Sequence, residues 1–332
     1  MTLRRRLVRI ALILLLFPPL LAAVAGWLIG PSFLHPIRRE LTGESIREAD
    51  STFHFLHAER QDFDVRAADG VLLHGWLVRP ANPNGSWVLV FHGVADNRMG
   101  VIGQAELLLR AGYSVVMMDA RAHGTSEGPM ATYGWLERHD TKVIVDALLA
   151  NEQQRDISVQ RSTPFPPGDP VERGRPLHIF ALGESMGAGI ALQSAAIDDR
   201  IEAVVAEASF ATLREASYDY AGLRKSPLLG KTLFAPFSWT LVYRGESLAG
   251  FPASGVSPEQ SVAARPFPVL LICDEDDVAL PCRHSERIYA AARGPKELWR
   301  VPRTFHTAAI SYQPEEFRRR VLGFFSKISR NP

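Results

Sequence analysis

The chain alternates short, wholly apolar segments with amphipathic ones, and this alternation limits the folds open to it. Segments that are apolar throughout indicate strands buried on both faces, as in a mostly parallel sheet with helices on both sides. Such strands are predicted at 86–93, 113–124 (running into a polar loop), 178–182, 201–207 and 268–273. The predicted fold class is therefore α/β.

The segments between these strands carry apolar residues at helical spacing. Helices are predicted around 107–111, over 135–152, directly after 185, around 285–292 and from 314, with a last short strand near 299–301. Two alternating runs about Asp69-Gly70 predict a β-hairpin ahead of the sheet. The proline-rich residues 153–176 predict an irregular surface segment.

Composition excludes some classes of function. The 332 residues include 37 Lys and Arg against 36 Asp and Glu, so the chain lacks the basic balance of a nucleic-acid-binding protein. Its two cysteines, Cys273 and Cys282, do not have the C-x2-C spacing of a zinc site, and no metal or cofactor is predicted. A disulfide between them requires an oxidising compartment.

The N-terminus predicts a membrane segment. Four arginines precede an uncharged stretch, in which residues 10–29 supply the roughly 20 apolar residues that a helix needs to cross a bilayer. A cleaved signal peptide is the alternative, because Ala23-Val24-Ala25 matches a cleavage pattern. The apolar run continues past that point through Trp27, which suits a membrane–water interface and favours the anchor. A buried core helix is disfavoured, since the arginines precede the rest of the fold.

We therefore assign residues 1–34 to an N-terminal membrane anchor (or signal peptide) and residues 35–51 to a connector. By the positive-inside rule, the arginines ahead of the apolar stretch predict that the rest of the chain lies on the non-cytoplasmic side. Cleavage would instead give a secreted protein.

The pentapeptide GESMG, residues 183–187, joins a predicted strand to a predicted helix. A serine at such a turn projects clear of the backbone, and Gly183 and Gly187 permit the close approach of strand and helix that the turn requires. The N–H groups at the start of the helix also favour nearby negative charge. Ser185 is therefore a candidate nucleophile.

A serine nucleophile needs a base to take its proton, and the chain has ten histidines. His306 follows the last predicted strand, in the order serine, acid, histidine that this kind of turn demands. His92 is interpreted as shaping the loop after its strand, and His123 as ordering its own loop. Three more are interpreted as partly exposed strand residues, namely His54, His57 and His74.

The third member of such a triad is a carboxylate that orients the histidine. The acidic run at 274–277 follows a predicted strand, and the residue types alone leave the choice of acid open. Negative charge that develops on a substrate oxygen also needs hydrogen-bond donors. The backbone N–H groups of Met186, next to the serine, and of Val94, after the first central strand, are predicted to supply them.

With these residues assembled, the chain resembles the α/β-hydrolase superfamily from about residue 60 to 328. The likeness is greatest to bacterial serine hydrolases grouped with serine aminopeptidases and monoacylglycerol lipase-like enzymes. The motifs that carry it are FHGVADNR, MMDARAHGTSEG, YGWLERHD, GESMGAG and PVLLICDEDDVALP, followed by His306.

In that group the strand before the acid ends H-G-x-x-D-x-x-V-P, which over residues 273–281 implies Asp277 as the catalytic acid, with Asp274 as the alternative. Two positions depart from the family's patterns, because Cys273-Asp274 replaces His-Gly and Ala122 replaces the second glycine of D-x-R-G-H-G.

The resemblance also implies a helical cap at about 211–262 within a hydrolase domain of 52–330. The large apolar side chains of this insertion either form a small core or line an acyl pocket. They are Phe234, Phe237, Trp239, Leu241 and Tyr243.

The function that the resemblance implies is a membrane-anchored serine hydrolase, which cleaves an ester, thioester or amide through an acyl-enzyme on Ser185. An ester is favoured, because the chain shows no propeller domain or acidic pair of the kind that exopeptidases often carry. The expected partners are a small or lipid-like acyl substrate and the membrane, not nucleic acid. The alternatives are a serine peptidase of the aminopeptidase type and a non-catalytic protein that uses the fold for binding.

Overall fold

An eight-stranded sheet forms the centre of the computed structural model, which describes residues 3–162, 177–223 and 227–329. The strands are β1 (Glu59–Arg66), β2 (Leu72–Arg79), β3 (Ser86–Phe91), β4 (Ser114–Met118), β5 (His178–Glu184), β6 (Ile201–Glu207), β7 (Val269–Asp274) and β8 (Lys296–Val301). They lie in the order β1-β2-β4-β3-β5-β6-β7-β8. Strand β2 pairs antiparallel with both β1 and β4, and the pairings from β4 to β8 are all parallel, so the predicted hairpin and the mostly parallel sheet are both confirmed.

Helices cover both faces of this sheet. The helices in the described part of the chain are α1 (Leu3–Leu34), α2 (Gly43–Phe55), α3 (Ile102–Arg110), α4 (Glu137–Ser162), α5 (Met186–Ile197), α6 (Leu213–Tyr220), α7 (Pro227–Lys231), α8 (Ala235–Ala249), α9 (Pro258–Ala264), α10 (Arg283–Ala291), α11 (Ala309–Tyr312) and α12 (Pro314–Ser329). Because side chains alternate along a strand, Leu89 of β3 joins the buried cluster under α4 and α5, whereas Val88 and Val90 join the one under α3 and α12.

Helix α4 is longer than the sequence predicted. The irregular segment was expected to begin at residue 153, but the helix continues to Ser162. Residues 153–162 contain no glycine or proline and include good helix formers such as Gln153 and Arg155, and the first proline comes only at Pro164. The rest of the predicted irregular segment, 163–176, lies outside the described residues.

Helix α2 begins inside the stretch that the sequence assigned to a connector. Thr42 caps its first turn by accepting a hydrogen bond from the N–H of Ser45 (3.1 Å). Ala49 and Phe53 are buried, and the Phe53 ring meets Trp76 of β2 edge-on with centroids 6.1 Å apart. These contacts make α2 part of the packed domain.

Helix α1 is the one helix among the described residues that is long and apolar enough to cross a membrane, from Arg4 to Leu34. The side chains of residues 4–13 are exposed. Farther along, Gly26 and Gly30 lie so close to α8 that a Cβ atom at either position would overlap atoms of Phe237 or Arg244. Small residues four apart allow this kind of backbone approach between helices.

The C-terminal end of α1 is tied to the sheet-bearing part of the chain. The Tyr133 hydroxyl donates to the Phe33 carbonyl (2.6 Å), and the Ala131 N–H donates to the Leu34 carbonyl (2.8 Å). Leu34 is completely buried, and the rings of Phe33 and Tyr133 stack with centroids 4.8 Å apart. The helix therefore ends on a rigid contact.

Candidate active site

Ser185 lies on the sharp turn between β5 and α5, where its φ of 51° and ψ of −118° are unusual for a residue with a side chain. A Cβ atom at Gly183 would overlap the backbone of Gly187, and one at Gly187 would overlap the carbonyls of Phe91 and His92. Glycine at both positions is therefore what lets the strand, the turn and the neighbouring strand end pack this closely.

The structure brings Ser185, His306 and Asp277 together, although they come from three separate loops. The Nε2 atom of His306 lies 2.9 Å from Oγ of Ser185, and its Nδ1 atom lies 2.6 Å from Oδ2 of Asp277. The other oxygen of Asp277 accepts the backbone N–H groups of Ala279 (2.8 Å) and Leu280 (2.9 Å). A carboxylate held this way makes Nδ1 the protonated ring nitrogen and leaves Nε2 free to accept the serine proton.

Asp274, the alternative acid, has a different partner. Its Oδ2 accepts the backbone N–H of Thr307 (2.9 Å), which supports the loop that carries His306. Burial, together with the nearby charge of Asp277, raises the pKa of Asp274 to about 7. Glu275 and Asp276 are exposed.

A disulfide joins Cys273, at the end of β7, to Cys282, just before α10. The loop that it closes contains Asp277, so the bond holds together both ends of the segment that positions the acid. Because the two cysteines are bonded to each other, neither has a free thiol that could bind a metal.

His92 orders the loop that carries Val94. Its Nε2 atom accepts the Ala120 N–H (3.0 Å), so the ring proton is on Nδ1, which donates to the Gly93 carbonyl (2.7 Å). That carbonyl and the Val94 N–H belong to one trans peptide and point in opposite directions. His92 thereby sets the direction of the Val94 N–H, and burial lowers the pKa of His92, which favours its neutral form.

The other histidines lie away from the serine. His123 is buried and bonds to the Arg121 carbonyl (2.9 Å), and burial lowers its pKa to about 4. His74 pairs with Asp64 on the outer hairpin. His54 and His57 are exposed at the end of α2.

Two buried glutamates lie beneath the site. Glu184 precedes the serine and accepts from the Gln104 amide (2.9 Å), and burial raises its pKa to about 8. The Glu207 side chain accepts a hydrogen bond from the Ala309 N–H (2.9 Å), and the backbone carbonyl of Glu207 accepts one from the Ser185 N–H (2.9 Å). Burial and the neighbouring Asp274 raise the pKa of Glu207 well above its ordinary range. Glu207 thus links the serine turn to the segment after His306.

Sequence reasoning missed Tyr220, the last residue of α6. Its hydroxyl lies 3.3 Å from Nε2 of His306, and the two rings meet edge-on with centroids 6.2 Å apart. No motif pointed to it, because Tyr220 reaches the histidine only through the packing of the insertion over the sheet.

An apolar cavity of about 300 Å³ opens beside Ser185, Met186 and Val94. Phe237 and Leu241 line it, and Leu241 also packs in the small core of the insertion. Three other aromatic residues of the insertion are at least one-third exposed, namely Phe234, Trp239 and Tyr243.

The sheet order, the antiparallel hairpin before it and the serine turn after β5 together define the α/β-hydrolase architecture. The sequence model of the family described as the alpha/beta hydrolase fold matches residues 86–233. The chain therefore has the α/β-hydrolase fold.

Curated relatives match the chain along most of its length. The uncharacterized protein YqkD of Bacillus subtilis is 28% identical over 328 residues, which cover 96% of this chain and 98% of that protein. The uncharacterized protein YfhR of Escherichia coli K12 is 25% identical over 276 residues and 82% of each chain.

Solved structures share the fold. The esterase Pf2001 of Pyrococcus furiosus superposes with a TM-score of 0.64 at 23% identity, over 89% of this chain and 100% of the esterase. The acylaminoacyl peptidase of Pyrococcus horikoshii superposes with a TM-score of 0.58 at 16% identity, over 82% of this chain and 42% of the peptidase. At these identities the likeness establishes the fold alone.

Proposed function

We propose that the protein is a membrane-anchored serine hydrolase that cleaves a carboxylic ester. The observation that carries this proposal is the continuous chain of hydrogen bonds from Ser185 through His306 to Asp277, beside an apolar cavity. A buried carboxylate, an imidazole and a serine in this order are the arrangement that activates a hydroxyl as a nucleophile.

In the first half of the reaction, Oγ of Ser185 attacks the ester carbonyl carbon while Nε2 of His306 takes the hydroxyl proton. Asp277 stabilises the imidazolium that forms. The N–H groups of Met186 and Val94, which border the same cavity, hold the oxyanion. When the tetrahedral intermediate collapses, the C–O bond to the alcohol breaks, and Nε2 returns the proton to the leaving oxygen.

In the second half, water attacks the acyl-enzyme carbonyl and gives a proton to Nε2 of His306. The Ser185 ester bond then breaks, the serine regains its proton and the carboxylic acid leaves. Tyr220, 3.3 Å from Nε2, lies where it can contact the leaving alcohol or the incoming water.

The lining of the cavity favours an ester over the substrate of an aminopeptidase. A peptidase of that type must bind a cationic amino terminus, for which a carboxylate is the natural partner. Among the residues that the structure describes, no aspartate or glutamate lines this cavity. An uncharged acyl group fits such a lining.

We further propose that α1 anchors the chain, with residues 1–34 in or at the membrane and the domain of 52–330 on the non-cytoplasmic side. The length and hydropathy of the helix support the anchor, and the four arginines before the apolar stretch support the orientation. The segment 211–262 would be the cap of the enzyme.

The test is covalent labelling of the full-length protein with a fluorophosphonate probe, followed by assays on nitrophenyl esters. Wild-type protein is expected to be labelled and to hydrolyse the esters, whereas Ser185→Ala is expected to do neither. Ser209→Ala, at another fully buried serine, is the matched control and should retain both. An unlabelled, inactive wild type would support a binding protein instead.

A further inference from the structure

The wall of the cavity beside Ser185 includes part of helix α1. Ile29, Ser32 and Phe33 line it, together with residues of the insertion and of the turn after β5. These three residues lie at the C-terminal end of the same helix that is proposed to anchor the chain. The segment that would anchor the protein therefore also borders its catalytic serine.

This wall is held in place from two sides. On one side, Gly26 and Gly30 seat α1 against α8, and the Thr240 hydroxyl donates to the Ala23 carbonyl (2.8 Å). On the other side, Tyr133, which also lines the cavity, stacks on Phe33 and donates to its carbonyl. A side chain on this part of α1 therefore has a defined position relative to the serine.

The level of the cavity relative to a bilayer follows from the length of the helix. At 1.5 Å per residue, the helix rises about 27 Å from Arg9 to Trp27, close to the thickness of a bilayer's hydrocarbon core. Trp27 lies beside Tyr243 of α8, with ring centroids 6.3 Å apart, and under the Arg244 guanidinium at 4.6 Å. Tryptophan and tyrosine are characteristic of the membrane–water boundary, and an arginine near a membrane surface extends its charged group to that boundary.

Ile29 lies only two residues beyond Trp27, so the cavity begins at the boundary itself. Trp239 of α8 is 61% exposed and lies one helical turn, about 5.4 Å, before Tyr243, so it adds a second large aromatic group near the boundary. A substrate whose acyl chain resides in the bilayer could enter this cavity without crossing open water.

We propose that α1 is a wall of the acyl site and that the cavity receives the single acyl chain of an ester that partitions into the bilayer. Ile29 and Ser32 are the residues that determine the length of chain accepted. The volume of about 300 Å³ is at the lower end for small-molecule sites, which suits one chain rather than two. This inference rests on the proposed function.

The experiment uses the full-length protein in lipid nanodiscs and two fluorogenic substrates, 4-methylumbelliferyl butyrate and 4-methylumbelliferyl dodecanoate. The variants are Ile29→Trp and Ser32→Leu, which add bulk to the wall. The matched control is Leu28→Trp, at a neighbouring position where the side chain is 71% exposed and outside the cavity lining.

Wild type and Leu28→Trp are expected to prefer the dodecanoate. Each cavity variant should lower kcat/KM for the dodecanoate about tenfold or more relative to kcat/KM for the butyrate, because excluding even one methylene costs this much. Fluorophosphonate labelling at the wild-type rate would show that the variants fold.

A wild type that prefers the butyrate would overturn the assignment of α1 while the hydrolase function stands. Variants that lower kcat/KM equally for both substrates would do the same. A wild type that is neither labelled nor active on either ester would overturn the hydrolase function itself, and the acyl site with it.

Discussion

The Nδ1 atom of His306 lies 2.6 Å from Oδ2 of Asp277, while Asp274, three residues earlier, bonds to the backbone of Thr307. We therefore expect Asp277→Asn to lower kcat on nitrophenyl butyrate by up to about 10⁴, because an amide stabilises the wrong histidine tautomer. Asp274→Asn should lower kcat less, since it alters only the support of the loop that carries His306. Steady-state kinetics of the two variants decide between them, and a larger loss for Asp274→Asn would make that residue the acid.

Ser185→Ala and His306→Ala should each abolish most hydrolysis of the same ester while the far-ultraviolet circular dichroism is unchanged. The two groups share one proton transfer, so the double variant should be little slower than either single one. The measurement is kcat/KM of all three variants. Losses that multiply would mean that the two residues act independently.

Stability should decrease as pH rises through the range in which Glu184 loses its proton. The ordinary pKa of a glutamate is 4.5 and burial raises that of Glu184 to about 8, so between these values the folded protein binds more protons than the unfolded chain. The free energy of unfolding then falls with pH by at most about 1.4 kcal/mol per pH unit for this group.

Melting temperatures at pH 6.5 and 8.0 test this expectation. Wild type should lose stability over this interval, and Glu184→Gln should lose less because its side chain does not titrate. Glu275→Gln, at an exposed position, is the control and should behave as wild type. Equal losses in wild type and Glu184→Gln would contradict the assignment.

Removal of the disulfide by Cys273→Ala with Cys282→Ala should lower the free energy of unfolding by about 2–3 kcal/mol, the amount expected for a closed loop of this length. Activity should fall as well, because the loop holds Asp277. Thermal melts with and without dithiothreitol measure the effect. The reductant should lower the melting temperature of wild type to that of the variant and leave the melting temperature of the variant unchanged. A wild type whose melting temperature is insensitive to the reductant would argue against the bond.

The full-length chain should stay in membranes after carbonate extraction and should retain its original N-terminus. Its domain should be digested by external protease in spheroplasts, because the arginines before the apolar stretch of α1 predict that the domain is exported. N-terminal sequencing separates the alternatives. A soluble product beginning at Gly26 would show cleavage after Ala25, and a chain protected from protease would reverse the orientation.

The strands and the turn that carries Ser185 could be predicted because local rules specify them. Buried parallel strands are apolar at every position, and the serine turn needs glycine at 183 and 187 for steric reasons that any neighbour of the same fold imposes. One departure from the family pattern coincides with an unusual backbone conformation. Ala122, where a glycine is usual, has a φ of 60°, a conformation that costs a residue with a side chain roughly 1–2 kcal/mol.

What the sequence did not reveal depends on contacts between distant segments. Tyr220 contacts His306 only because the insertion folds over the sheet, and α2 packs against the sheet because Phe53 contacts Trp76 of β2. The glycines at 26 and 30 are visible in the sequence, but their partner α8 lies more than 200 residues away, and no local pattern connects the two.

The fixed end of α1 has a kinetic consequence. Phe33 and Leu34 are hydrogen-bonded to the domain. The distance from Ser185 to the N-terminal end of α1 is therefore fixed by the fold and does not vary as it would with a flexible linker. If α1 anchors the chain as proposed, the enzyme would meet a substrate of the bilayer by diffusion in two dimensions. Its rate would follow the mole fraction of substrate among the lipids, and adding inert lipid at constant bulk concentration would slow it.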